Sequence, residues 1–266
     1  MIAFAFTLLA AAQTSAPLIH QPPALQPLTL QEDRLRACMT QARRDPPTAI
    51  TTAVEWMEGT YGGDLSYPQQ CLGFAYMSLL RWDSARVAFI AARDSRPETD
   101  HAGRARLGGM AGNAALGAED FAAAAPLLAT AQADALAAGD NPLAGQMATD
   151  RARALVGLGS NQEAAAVLEQ ARELAPQEGA IWLLSATLAR RMDDLAAAQG
   201  WIRTAALLDP QNPAVGLEAG LIAALGGFDD AARSSWQSVL ALAPGTAEAM
   251  TAQTYLAQLD GEPPAR

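Results

Sequence analysis

Pro176, Pro210 and Pro244 stand 34 residues apart in this 266-residue chain, and four other columns keep step with them. Twelve residues before each proline lies a small residue, Ala164, Ala198 and Ala232; eight before it lies a large one, Leu168, Ile202 and Trp236. Five before it come Ala171, Ala205 and Val239, and twenty-four before it Ala152, Ala186 and Gly220. The same offsets run back from Pro97 through Ala92, Phe89, Ala85 and Gly73. A fixed period of this length means that one supersecondary unit is used again and again, and that copies stack because a single unit cannot bury both of its faces.

The physical reading of each unit is a pair of helices. A glycine or alanine in the first helix and an alanine in the second let the two backbones cross closely. The bulky residue eight before the proline points toward the neighbouring unit, where its burial contributes about 1.5–3 kcal/mol. The proline stops the second helix and begins the next turn. In the copy at 213–246, Phe228 of GGFDDAA falls one residue early, so an irregular turn is expected there. A further pair at 105–144 keeps Gly112, Phe121, Ala124, Leu128 and Ala131 in register, and its second helix runs on through ADALAAG. RLRACMTQARRDPPTAITTAVEWMEG reads as a degenerate first pair with a Pro-Pro turn, and TAEAMTAQTYLAQLDG as one last helix that closes the open end.

These columns resemble those of the tetratricopeptide repeat, whose pattern is W-x2-L-G-x2-Y, then A, F, A and P. Residues 66–99 match it with Leu72, Gly73, Tyr76, Trp82, Ala85, Phe89, Ala92 and Pro97; Gln69 replaces the first tryptophan, which reappears as Trp182 in the copy at 179–212. The resemblance implies an all-α fold, a right-handed superhelix (α-solenoid) of about six helix pairs with a C-terminal capping helix, over residues 30–260. It implies a protein-binding scaffold or adaptor, not an enzyme, that holds a peptide or partner segment in a groove lined by the first helices. The residues expected to face that groove are Phe74, Asn113, Arg153, Thr187 and Leu221, with Met77, Leu116, Val156, Arg190 and Ala224 one turn further on. Phe74 and Met77 offer an apolar floor, and Arg153 and Arg190 two guanidinium groups for a carboxylate. Core packing is the competing reading of Phe74, and stabilisation of a helix end that of Arg190. A self-associating structural protein with an empty groove is the alternative function, and homo-oligomers stay open.

Composition removes other classes. The net charge is −10 and the basic residues are all arginine, which argues against nucleic acid and anionic lipid as partners and leaves no lysine for phosphate-loop or Schiff-base chemistry. Of the two histidines, His20 and His101, neither has another near it in sequence as a metal pair would, and neither H-E-x-x-H nor G-x-S-x-G occurs; no metal or cofactor is expected. LGGMAGNAALG at 107–117 carries the small packing column and reads as helix rather than a phosphate loop. Asp193-Asp194 and Asp229-Asp230 read as helix caps.

Residues 2–12 form an apolar run followed by small residues, which reads as a secretory signal peptide at 1–12 cut after Ala12, with cleavage after Ala16 disfavoured by Pro17. No lysine or arginine precedes the run. If it is not a signal, the protein stays cytoplasmic. A Pro-rich tether at 13–29 and a short tail at 261–266 flank the repeats, and no cysteine follows the apolar run to carry a lipid anchor. Cys38 and Cys71, the two cysteines, lie 33 residues apart in first helices that the resemblance packs side by side. A disulfide is expected between them in an oxidising periplasm, with two buried free thiols as the other reading.

Overall fold

The computed structural model describes residues 29–60 and 63–261. The signal and tether expectations up to residue 28, and the tail at 262–266, lie outside the described residues. Within them the chain is helical: α1 (Leu30–Arg44), α2 (Pro46–Glu58), α3 (Ser66–Ser78), α4 (Trp82–Asp94), α5 (His101–Gly117), α6 (Phe121–Ala137), α7 (Asn141–Gly157), α8 (Asn161–Leu174), α9 (Gly179–Arg191), α10 (Leu195–Leu208), α11 (Pro213–Leu225), α12 (Asp229–Leu242) and α13 (Ala247–Leu259). Each helix packs on the next, which gives six antiparallel pairs and a final single helix set against α11 and α12. No helix among the described residues is long and apolar enough to cross a membrane.

Local chemistry sets the helix starts. Thr29 accepts from the Glu32 amide while the Glu32 carboxylate accepts from the Thr29 amide, a reciprocal cap on α1. Asp45 ends α1 and caps α2, and Pro46 and Pro47 occupy the first turn of α2, where the missing amide hydrogens cost nothing. Asp100, Asp120, Asp140 and Asp194 each accept from a first-turn amide. Asp229 and Asp230 do not cap: they lie inside the first turn of α12, where their charge suits the helix dipole.

The small and large columns meet at a constant offset of sixteen residues. A Cβ at Gly73 would lie 2.5 Å from the Phe89 ring, one at Gly112 2.5 Å from Leu128, and one at Gly220 would run into Nε1 of the Trp236 ring. Ala152 with Leu168, and Ala186 with Ile202, occupy the corresponding places in the pairs between. Glycine therefore stands under the aromatic side chains and under Leu128, in the pair whose helices share the longest contact. The large residue lies over its own first helix and also joins the following one: Phe89 clusters with Leu107 and Ala111, Leu168 with Ile181 and Leu188.

The turn inside each of the five pairs from α3–α4 to α11–α12 is the same, while α1 and α2 join directly through Asp45. Leu80, Glu119, Gly159, Asp193 and Gly227 all have φ between 55° and 78°. The next amide donates to a carbonyl five residues back, as in Arg81 to Tyr76, Asp194 to Ala189 and Phe228 to Ala223, each at 2.9 Å. The turn before α12 is thus regular, contrary to the sequence expectation. Gly226 and Gly227 supply the backbone, and the early phenylalanine alters only which side chain stands at the helix start. Leu80 is 69% exposed at φ 55°, so Leu80→Gly relieves a left-handed leucine at no cost in packing. Thermal unfolding is expected to show the variant more stable by about 0.5–1 kcal/mol.

One feature departs from the 34-residue period. α5, α6 and α7 each have 17 residues and α8 has 14. Their starts at 101, 121, 141 and 161 are spaced by 20, and the α6–α7 connection uses the same left-handed turn, at Gly139. The expected lengthening of α6 is real, but it is shared with both neighbours. Residues 107–117 are helix, and Gly108, Gly109 and Gly112 bring α5 against Ala131 and Leu128 of α6 and Met147 of α7. Toward the C-terminus α8 and α9, and α10 and α11, pack less extensively than α4 and α5 or α6 and α7.

Candidate functional site

The residues expected to face a groove separate into two groups. Phe74 is half-buried, edge-on to Phe89 with ring centroids 5.4 Å apart, and Met77 packs into the same cluster. Leu221 belongs to the cluster around Trp236, and Thr187 is half-buried on α9. Leu116, Val156 and Ala224 are half-buried as well. Leu116, Val156 and Ala224 pack against the buried clusters of their own pairs, as Phe74, Met77 and Leu221 do. Asn113 on α5 and Arg153 on α7 are exposed, each between wholly buried neighbours in sequence: Gly112 and Ala114, Ala152 and Ala154. Arg153 pairs with Asp150 and borders a recess of about 190 Å³ between α7 and the start of α9, with Gln146, Glu178 and Ala180.

Arg190 is tied up inside the fold. Its Nε donates to Glu218 Oε1 at 2.6 Å and its Nη2 to Oε2 at 3.3 Å, joining α9 to α11, with side chains only 19% and 12% exposed. A planar guanidinium pairs with a carboxylate through two parallel bonds, so the charge expected to await a ligand is neutralised by the next unit. Arg190→Ala is expected to destabilise the protein by about 1–3 kcal/mol, because Glu218 would be left partly buried without its partner. Urea denaturation of the single variant and of Arg190→Ala with Glu218→Ala checks this: the second substitution should recover part of the loss.

Larger recesses open on the opposite side, where two second helices part over a first helix. One of about 470 Å³ lies between α2 and α4 over α3, beside Met57, Tyr76 and Val87. One of about 350 Å³ lies between α8 and α10 over α9, and one of about 300 Å³ between α10 and α12 over α11. The α8–α10 recess holds a cation. The Arg172 guanidinium lies 4.3 Å from the Trp201 ring centre and 5.8 Å from that of Trp182, and its Nη1 donates to Ser185 Oγ at 2.7 Å. Burial weakens its hold on the proton, against the opposing field of Glu169 and Glu173. Reading by columns passes over Arg172, yet a signal exists: one unit later the same two positions hold Ala206 and Ser235 in place of Arg172 and Trp201.

Cys38 on α1 and Cys71 on α3 face each other with Cα atoms 5.9 Å apart, inside the range a disulfide spans. His101 Nδ1 lies 3.3 Å from Asp134 Oδ1 at the α5–α6 crossing. Among the described residues no three His, Cys, Asp or Glu side chains converge as a metal site would require.

No family model matches the chain, and no curated protein matches it. Solved structures do. PilW, described as a widely conserved type IV pilus biogenesis factor, superposes with a TM-score of 0.68 at 17% identity over 86% of this chain and 100% of that one. The pilF product of Pseudomonas aeruginosa gives 0.63 at 16% identity, over 85% and 99%. YrrB, described as a TPR protein with an unusual peptide-binding site, gives 0.51 at 18% identity, over 77% and 97%. Paired helices, a common turn and these likenesses together establish that the chain has the fold of a tetratricopeptide-repeat solenoid.

Proposed function

We propose that this protein is an exported scaffold or adaptor that holds a segment of a partner protein against the face formed by its first helices. The observation that carries the reading is the pair Asn113 and Arg153. These equivalent positions on successive first helices stay exposed while both sequence neighbours of each are buried, and Arg153 borders the α7–α9 recess. A polar residue kept outward on a helix otherwise committed to packing is placed to meet something outside the chain. YrrB, of the same fold, has a peptide-binding site. Export to a bacterial periplasm is supported by the N-terminal apolar run and by the facing cysteines.

Affinity recovery from envelope extract tests the reading. The wild-type chain is expected to retain a distinct protein, and Asn113→Ala with Arg153→Ala is expected to lose most of it at unchanged helicity. Undiminished recovery by the folded double variant would remove this surface from the function. Recovery of only further copies of the chain would favour the self-associating alternative.

A further inference from the structure

We propose that the recess between α8 and α10 is a second docking site, which takes an extended partner segment carrying an acidic side chain followed by apolar ones. The proposal rests on the scaffold reading and adds a contact on the opposite face. Its first support is an unmatched charge. Among the half-buried arginines, Arg86, Arg93, Arg96, Arg104, Arg151, Arg190 and Arg233 each have a carboxylate within 4.0 Å. Arg172 has none that close among the described residues: a neutral hydroxyl and two indole faces touch it, and Glu169 and Glu173 act on it only from farther away. A cation taken partly out of water calls for a counter-charge, and stacking on Trp201 leaves part of the guanidinium fork free to bond one.

The second support is the way the chain departs from its own repeat. Along the α8, α10 and α12 column Arg172 is followed by Ala206 and Leu240; along the Trp201 column Val167 precedes it and Ser235 follows. Arginine and tryptophan each occur once, and they touch. The recess one unit on, between α10 and α12, has the same wall positions, Ile202, Ala219, Ile222 and Ala223; its one arginine, Arg203, is exposed and stands one residue after Ile202 rather than at the Arg172 position. Packing alone is therefore met in this fold without the pair.

The shape of the recess selects the ligand. Its floor runs along α9 from Ser185, beside Arg172, through Leu188 and Ala189 to Met192, two helical turns or about 10 Å. That is the reach of about three extended residues. One end is cationic, the middle apolar, and the far end carries Asp194. A carboxylate bound at Arg172 with its apolar neighbours directed along Leu188 and Ala189 complements the first two. Asp194 disfavours a second acid at the far end.

Terminally blocked Gly-Glu-Leu-Leu-Gly is the probe, with the Gln analogue and free acetate as comparisons, followed through the indole N–H resonances of Trp182 and Trp201. The Glu peptide is expected to give saturable shifts in both, about tenfold weaker or more with the Gln analogue, and none with acetate at equal concentration. Arg172→Ala and Trp201→Ser, which adopt the residues found one unit later, should each abolish the shifts in a folded chain. Absence of saturation in the millimolar range, equal affinity for the Gln peptide, an equal response to acetate, or binding that survives both substitutions would overturn the proposal. If the peptide fails while partner recovery through Asn113 and Arg153 persists, the second site falls and the scaffold reading stands.

Discussion

Phe89→Ala is expected to cost about 3–5 kcal/mol, a large part of the stability of a chain this size. The side chain is fully buried, fills the space over Gly73, and joins α3 and α4 to α5 through Leu107 and Ala111. Chemical denaturation followed by helicity measures the loss. A companion experiment tests the cause. Gly73→Ala alone should destabilise by about 1–3 kcal/mol, because its Cβ would need the place of a ring that cannot swing away. Combined with Phe89→Leu, the same Gly73→Ala should stabilise relative to Phe89→Leu alone by about 0.5–1 kcal/mol, since alanine favours helix and Ala152 under Leu168 shows that the smaller pair fits. A change of sign between the two backgrounds is the signature of size matching across the sixteen-residue offset. Additive effects would count against it.

The second large effect is expected at Cys38 and Cys71. The cluster that holds α1 and α2 to α3 is made of Cys38, Ala42, Ala49, Ala53, Cys71 and Ala75, with half-buried Leu35, Ile50, Leu72 and Phe74 packed against it, and Trp56 of α2 is the one large side chain buried at this end outside that cluster. Small side chains bury little area each, so this end of the stack depends on a cross-link more than the centre does. Closing the loop between residues 38 and 71 should contribute about 3–4 kcal/mol. Replacing both cysteines by serine should melt α1 and α2 ahead of the rest, as hydrogen exchange resolved along the chain would show. In protein alkylated without reductant, mass spectrometry should find neither cysteine modified. Two modified cysteines would end the disulfide and weaken the case for export.

Much of the fold was legible because close helix crossings force small residues into fixed columns. Gly73, Ala152, Ala186 and Gly220 mark where two backbones approach, and large residues sixteen positions on cover them. The run from α5 to α8 was less legible. Its period is 20 per helix, marked by the N-cap positions Asp100, Asp120, Asp140 and Ser160, of which the three aspartates accept from first-turn amides, and no column of prolines keeps that spacing. The regular turn before α12 is not legible from Phe228, because the side-chain register shifts there while Gly226 and Gly227 keep the backbone path unchanged. Arg190 was legible as a charge on a first helix but not as one already paired, since its partner Glu218 lies 28 residues away. The Arg172 recess leaves only a faint trace in the sequence, the departure of Arg172 and Trp201 from the residues one unit later, for a related reason. Its parts lie on three helices, and only stacking brings them together.

Photo-crosslinking in intact cells tests the central claim most directly. A diazirine side chain placed at Asn113 or at Arg153 on the first-helix face is compared with one at Thr130, exposed on the second helix α6. A protein that works by holding a partner against its first helices should give adducts of one distinct protein at 113 and 153 and none at 130. Equal adducts at 130, or adducts only with a second copy of the chain, would contradict it.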